Sequence, residues 1–338
     1  MTTSSASKRA LSRTRFHSLH ALAAAGLLLW GLGTATSRAV ILYVSDATNK
    51  IEKYNSGGVG SVFTSSGLSQ PEGLAFDSLG NLYAANFNFG TNTIEKFNPG
   101  AVASVFADAN DGLSRPTGLA FDSAGNLYAA NGLNATIVKI TPGGVGSVFA
   151  NTGLSGPLGL AFDSVGNLFV ANQSNKIVKF TPGGVGTVFA TVTTFANSLA
   201  GLAFDSAGFL YVTDVNANKI LKFNITTGVS SVFASSGLNQ PIGLAFDDVG
   251  NLFVANQGNA TIEKFTPGGV GSVFASTGVI SPQFLAFTDD AGKPLPLANQ
   301  VPEPATWAML AIGGSAFLTR RRSGRAYLFP MSGSRYGG

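Results

Sequence analysis

From residue 40 to residue 290 the chain is written in short apolar runs separated by turns of Gly, Asn, Asp and Pro. Runs of this length, rich in Val, Ile, Phe and Tyr, predict strands, and no stretch carries a helical period. The runs also repeat. Gly-Leu-Ala-Phe-Asp occurs at 73–77, 118–122, 159–163, 201–205 and 243–247, followed by a worn copy at Phe284–Thr288. The phenylalanines of the six copies, Phe76, Phe121, Phe162, Phe204, Phe246 and Phe287, are 45, 41, 42, 42 and 41 residues apart. A period near 42 residues suits four strands of about 5–6 residues joined by short loops.

One copy shows the unit. Leu74–Phe76, Leu82–Ala85, Thr93–Phe97 and Ser104–Phe106 read as strands, with turns at Asp77–Asn81 and Asn98–Gly100. In three other copies the second of these turns is Thr-Pro-Gly-Gly, at Thr141–Gly144, Thr181–Gly184 and Thr266–Gly269, which predicts type II geometry. Apolar residues fall on both parities, as in Leu160, Ala161 and Phe162, so each sheet is expected to be covered on both faces. The array starts in mid-unit: Ile41–Val44, Ile51–Tyr54 and Ser61–Phe63 supply strands two, three and four, and Phe284–Phe287 supplies the missing first. Complementary fragments at the two ends predict an all-β, six-bladed β-propeller with four-stranded blades and a 3+1 closure. An open solenoid would leave the fragments unexplained.

The units resemble NHL repeats, through Pro-x-Gly-Leu-Ala-Phe-Asp, then Gly-Asn-Leu followed by Tyr or Phe, then Ile-x-Lys-Phe. The resemblance spans nearly all of residues 40–290 and implies the propeller; it does not imply one activity, since such folds serve binding proteins, lactonases and lyases.

Both ends differ from this body. Lys8, Arg9, Arg13 and Arg15 precede an apolar stretch of about 15 residues, short of the ~20 a spanning helix needs, and Ser37-Arg38-Ala39 offers a signal peptidase site. Residues 1–39 are therefore read as a signal peptide and 40–298 as the propeller. Residues 299–322 carry Pro302-Glu303-Pro304, an apolar run ending at Leu318, and Arg320-Arg321-Arg322. As a helix, Ala305–Leu318 would be about 21 Å long, against a hydrocarbon core of about 30 Å. Contact with the membrane would be marginal and transient, stopped by the arginines on the cytoplasmic side. The segment resembles the PEP-CTERM sorting signal of Gram-negative bacteria that secrete polysaccharide. That resemblance implies an exosortase-type enzyme as partner, transient inner-membrane anchoring, and a final place at the cell surface or in the extracellular matrix. Residues 323–338 extend beyond the usual end of such a tail and have no assigned role.

Charge sharpens the division. The formal net charge is +4, yet residues 40–300 hold 11 bases and 16 acids, a net of −5. A mildly acidic body lacks the clustered basic face that nucleic acid requires, so that class is excluded. The body also lacks His and Cys, the two histidines being His17 and His20, which removes Ser-His-Asp and Cys-His catalysis and histidine-ligated zinc. The expectation is a binding module for polysaccharide or another exported protein, without a cofactor.

The alternative is a metal-dependent lactonase or hydrolase of the gluconolactonase-like propeller type, with calcium or zinc in the central channel. Its ligands would come from the start of the first strands, at Glu72, Thr117, Leu158, Ala200, Ile242 and Gln283, where only Glu72 is ionisable. A second polar ring, Asp46, Asn86, Asn131, Asn172, Asp214 and Asn256, follows the second strands. It either caps its own loops or presents amide and carboxylate groups to sugar hydroxyls. The turn acids Asp77, Asp122, Asp163, Asp205 and Asp247 lack the alternation of a calcium loop and are read as turn caps. The Ile-x-Lys lysines are read as guards of the outer strands against edge pairing.

Overall fold

A computed structural model describes residues 40–193, 199–276 and 278–295. They form six four-stranded antiparallel sheets. Blade 1 joins Val40–Asp46, Lys50–Tyr54 and Gly60–Thr64 to the C-terminal strand Pro282–Asp289. Blades 2 to 6 run in sequence through residues 71–107, 116–150, 157–191, 199–234 and 241–275. The 3+1 closure is a ladder in which Leu42 faces Phe287 and Val44 faces Leu285.

The packing follows from the pattern. Second strands such as Leu82–Asn86 and Leu168–Asn172 are buried at every position, because a blade in a ring has neighbours on both faces. Each interface between blades holds a triad of aromatic rings. Tyr83 of blade 2 meets its own Phe106 at 4.8 Å and Phe121 of blade 3 at 5.1 Å, both edge to face. The same triad recurs around the ring, and Phe253 with Phe274 and Phe287 joins blade 6 to the C-terminal strand of blade 1. Each such pair adds about 0.5–1.5 kcal/mol beyond its buried area.

At the axis the inner strands approach backbone to backbone. Each is bulged after its first residue, and Gly73, Gly118, Gly159, Gly201 and Gly243 sit in the bulges. A methyl group at Gly73 would overlap the Thr117 carbonyl of the next blade, and at Gly159 the Ala200 carbonyl. The sixth member of this collar is Phe284.

The turns depart from expectation in type. In Thr141–Gly144 the Gly144 N–H bonds the Thr141 carbonyl at 2.9 Å, and positive φ (85°) falls on Gly144 while Gly143 keeps φ negative. That is a type I turn followed by a left-handed residue, repeated at Gly184 and Gly269. A type II turn would splay the strands, whereas this geometry matches their right-handed twist.

Two outcomes test this account. Gly159→Ala should lower stability by about 1–3 kcal/mol through overpacking at the collar. Gly143→Ala, whose methyl would meet nothing nearer than 3.8 Å, should leave the urea midpoint almost unchanged. Deleting Ser281–Asp289 should abolish the cooperative thermal transition seen by circular dichroism, since blade 1 then loses its inner strand.

Candidate functional site

The polar ring after the second strands is a set of internal clasps. Asp46, Asn86, Asn131, Asn172, Asp214 and Asn256 are all fully buried. Asn86 accepts from the Ser69 N–H at 2.9 Å and donates to the Gly67 carbonyl and the Thr93 hydroxyl, both at 2.9 Å. Asn131 and Asn256 repeat the pattern, and Asp46 accepts the Ile280 and Ser281 N–H groups across the closure. The Asp214 carboxylate accepts from the Ala217 N–H at 3.1 Å. Asn172 holds the Ser155 N–H, but its Nδ2 lacks a partner among the described residues. The equivalent of Thr93 there is Lys176, which offers no hydroxyl. These heads face the chain rather than solvent, so a sugar ring laid on them would have to break the clasps first.

The turn acids are spent in the same way. Asp77 accepts from the Leu79 and Asn81 N–H groups and from the Asn81 amide and Tyr83 hydroxyl. Lys96 completes the group, 3.8 Å from Asp77 and 5.3 Å from the Tyr83 ring centroid. Lys139, Lys179 and Lys222 pair with Asp122, Asp163 and Asp205 at 3.8, 3.9 and 3.4 Å. These lysines lie on third strands and reach back over the aromatic residue opposite them, so they brace the blade rather than guard its outer edge.

The two ends of the central channel differ. Where the inner strands end, Leu, Ala and Phe from all six blades line a cavity of about 470 Å³, together with Asp247–Gly250 and Pro294–Leu295. Phe284 and the collar glycines Gly118, Gly159 and Gly201 also line it. At the other end stand the first residues of the inner strands. Thr117 is buried and its hydroxyl bonds the Ala130 and Pro157 carbonyls, while the Gln283 amide donates to Ser281. Leu158, Ala200 and Ile242 bring no ligand atom. Glu72 remains, its carboxyl pushed up to about 8 by burial and only partly drawn back by the charge of Arg115. Among the described residues no three His, Cys, Asp or Glu side chains cluster as a metal site would require.

Arg115 belongs to a cluster that lies outside the six-fold pattern. Its guanidinium carbon lies 3.8 Å from the ring centre of Phe87 and 4.0 Å from that of Phe89. The sequence carried two signals of it. The interval from Phe76 to Phe121 is 45 residues where the others are 41 or 42, and Arg115 is the sole arginine between residues 40 and 300.

With this geometry in hand, three comparisons bear on the chain. A family model of the PEP-CTERM protein-sorting motif matches residues 300–322, outside the described residues along with Pro302, Glu303, Pro304, Arg320, Arg321 and Arg322. No curated protein matches. Among solved structures, a chain of a nidogen/laminin complex superposes with a TM-score of 0.65 at 19% identity, covering 73% of this chain and 98% of that one. A streptogramin B lyase superposes with a TM-score of 0.58 at 17% identity, covering 76% and 96%. A catalytically inactive virginiamycin B lyase from Staphylococcus aureus, with quinupristin, gives 0.57 at 17% identity, covering 78% and 97%. At these identities the likeness is one of fold. The chain is a six-bladed β-propeller that carries a PEP-CTERM sorting signal, and that signal marks it as an exported protein handled by an exosortase-type enzyme.

Proposed function

We propose that the propeller is a binding module of the cell surface or extracellular matrix, with polysaccharide or another exported protein as its ligand. The observation that carries this reading is the sorting motif at residues 300–322 joined to a body without His or Cys. The NHL character of the repeats, read from their motif, agrees with a scaffold that presents loops. In this reading residues 1–39 direct export, residues 40–298 bind, and residues 299–322 hold the inner membrane until the sorting enzyme acts. Purified exopolysaccharide from a producing cell should retain the secreted protein in affinity electrophoresis; migration unchanged by every matrix fraction would count against the proposal. Intact-mass measurement of the secreted protein should show a chain beginning at Val40 and ending near the Pro302-Glu303-Pro304 motif. Replacing Arg320, Arg321 and Arg322 by Gln should leave the uncut form associated with cells.

The metal-dependent hydrolase is the second reading, and Glu72 is the observation in its favour. A carboxyl held to about 8 is mostly protonated at neutral pH and must lose that proton before it can ligate a hard cation. Because the folded state holds the proton more tightly than the unfolded chain, the contribution to stability is complete below the ordinary value of 4.5. It is lost as pH rises through about 8. Chemical denaturation across that window should show the decline, and Glu72→Gln should flatten it. Calcium or zinc bound at Glu72 would give heat in calorimetric titration and restore stability at the alkaline end; heat lost in Glu72→Gln would favour the hydrolase, and no heat in either protein would remove it.

A further inference from the structure

In a ring of near-identical blades, side chains that recur from blade to blade hold the ring together, as the clasps do and as the Asp–Lys braces do in blades 2 to 5. Ligand chemistry belongs where the copies differ. The departures converge beside the channel mouth, between blades 2 and 3. The loop between the second and third strands has six residues in blade 2, Phe87 to Asn92, against three or four in the other blades. Arg115 stands where the other described copies have Gln70, Gly156, Gln240 or Ser281.

The cluster is fixed from several sides. The Arg115 N–H donates to Asn92 Oδ1 at 2.8 Å, and its Nε donates to the Phe87 carbonyl at 3.3 Å. The Phe87 N–H bonds the Gln70 carbonyl, and the Asn88 amide bonds the Ser69 hydroxyl. With a ring against each face, the guanidinium has only its outer edge left, and no described residue bonds its two terminal nitrogens or forms an ion pair with it. Phe89 is 69% exposed and neighbouring Leu133 is 58% exposed.

We infer that Arg115, Phe87 and Phe89 form a subsite for a carboxylated sugar of an acidic polysaccharide, the carboxylate on the guanidinium edge and the pyranose C–H face on Phe89. This rests on the binding-module reading given above and narrows its ligand. A planar fork with both faces covered recognises a planar anion in two parallel hydrogen bonds. In a body of net charge −5 an arginine that no described residue ion-pairs is an attraction for an anion. The exposed ring beside it is a rigid apolar platform that loses little entropy on binding. Burial keeps Glu72 of the adjacent blade largely protonated, which weakens its competition for the arginine.

The test uses the full secreted protein with three probes: polygalacturonate, neutral dextran, and polyglutamate, which carries carboxylates without sugar. Polygalacturonate should bind and dextran should not. Arg115→Gln should weaken binding by about 10-fold or more, the size of a lost charge-assisted pair. Arg115→Lys should fall between the two, keeping the charge and losing the fork. Phe89→Ala, an exposed site, should weaken polygalacturonate several-fold and leave the melting temperature unchanged. Equal affinity for polyglutamate would overturn the sugar part of the inference. Polygalacturonate binding that survives both Arg115→Gln and Phe89→Ala would overturn the subsite. Retention on native exopolysaccharide with no preference for acidic polymers would overturn the subsite while leaving the binding-module reading intact.

Discussion

The closeness of the inner strands governs everything else in this molecule. At five of six positions around the axis a glycine lets one backbone rest on the carbonyl of the next, and no side chain could stand there. That contact sets how near the blades come at the axis, and so the distance at which the aromatic triads further out meet. Were the collar wider, rings such as Tyr128 and Phe162, now 5.0 Å apart, would lose their edge-to-face contact along with the buried area behind it. The glycines cost conformational entropy in the unfolded chain, roughly 0.5–1 kcal/mol each relative to Ala. Six interfaces of buried Leu, Ile and Phe outweigh that cost, which is how a domain without disulfides holds a closed ring.

The sixth collar position shows the same constraint from the other side. Phe284 belongs to the strand that closes the ring; a methyl group at Gly243 would meet its Cα at 2.6 Å, and Phe284 also lines the apolar cavity. The channel is thereby given an apolar end, lined by Leu, Ala and Phe of every blade, and a second end where Glu72 stands among Thr117, Leu158 and Ile242. A carboxyl in that second setting keeps its proton at neutral pH because burial penalises its charged form by more than the charge of Arg115 favours it.

What could be read from the sequence was whatever the repeat wrote six times. The period near 42 and the complementary ends fixed the blade count and the closure, and the parity of Leu160, Ala161 and Phe162 told that both faces were covered. The repeat could not say which way a polar side chain turned. Asn86 and Asn131 sit at the end of strands on an apparently open face, yet the preceding loop folds over them, a contact made 17–19 residues back along the chain. Pro-Gly satisfies type II locally, while the twist of the hairpin moves the positive φ to the following glycine, so the turn type is not legible from the dipeptide. The Arg115 cluster joins residues 26 to 28 apart through a loop of irregular length, which no repeated motif encodes.

Regularity and function therefore pull on different parts of this chain. A side chain present in every blade is held by its own blade before any ligand arrives, as Asp77 is by Leu79, Asn81, Tyr83 and Lys96. Recruiting it would mean unmaking a brace, and doing so six times would unmake the ring. An insertion in one loop and one substitution at a strand entry disturb nothing that the collar or the triads require, because both lie outside the six-fold scaffold at the mouth. New chemistry on such a ring is thus expected to accumulate in single blades, at loop positions already facing solvent, and the Phe87, Phe89 and Arg115 group between blades 2 and 3 has that form.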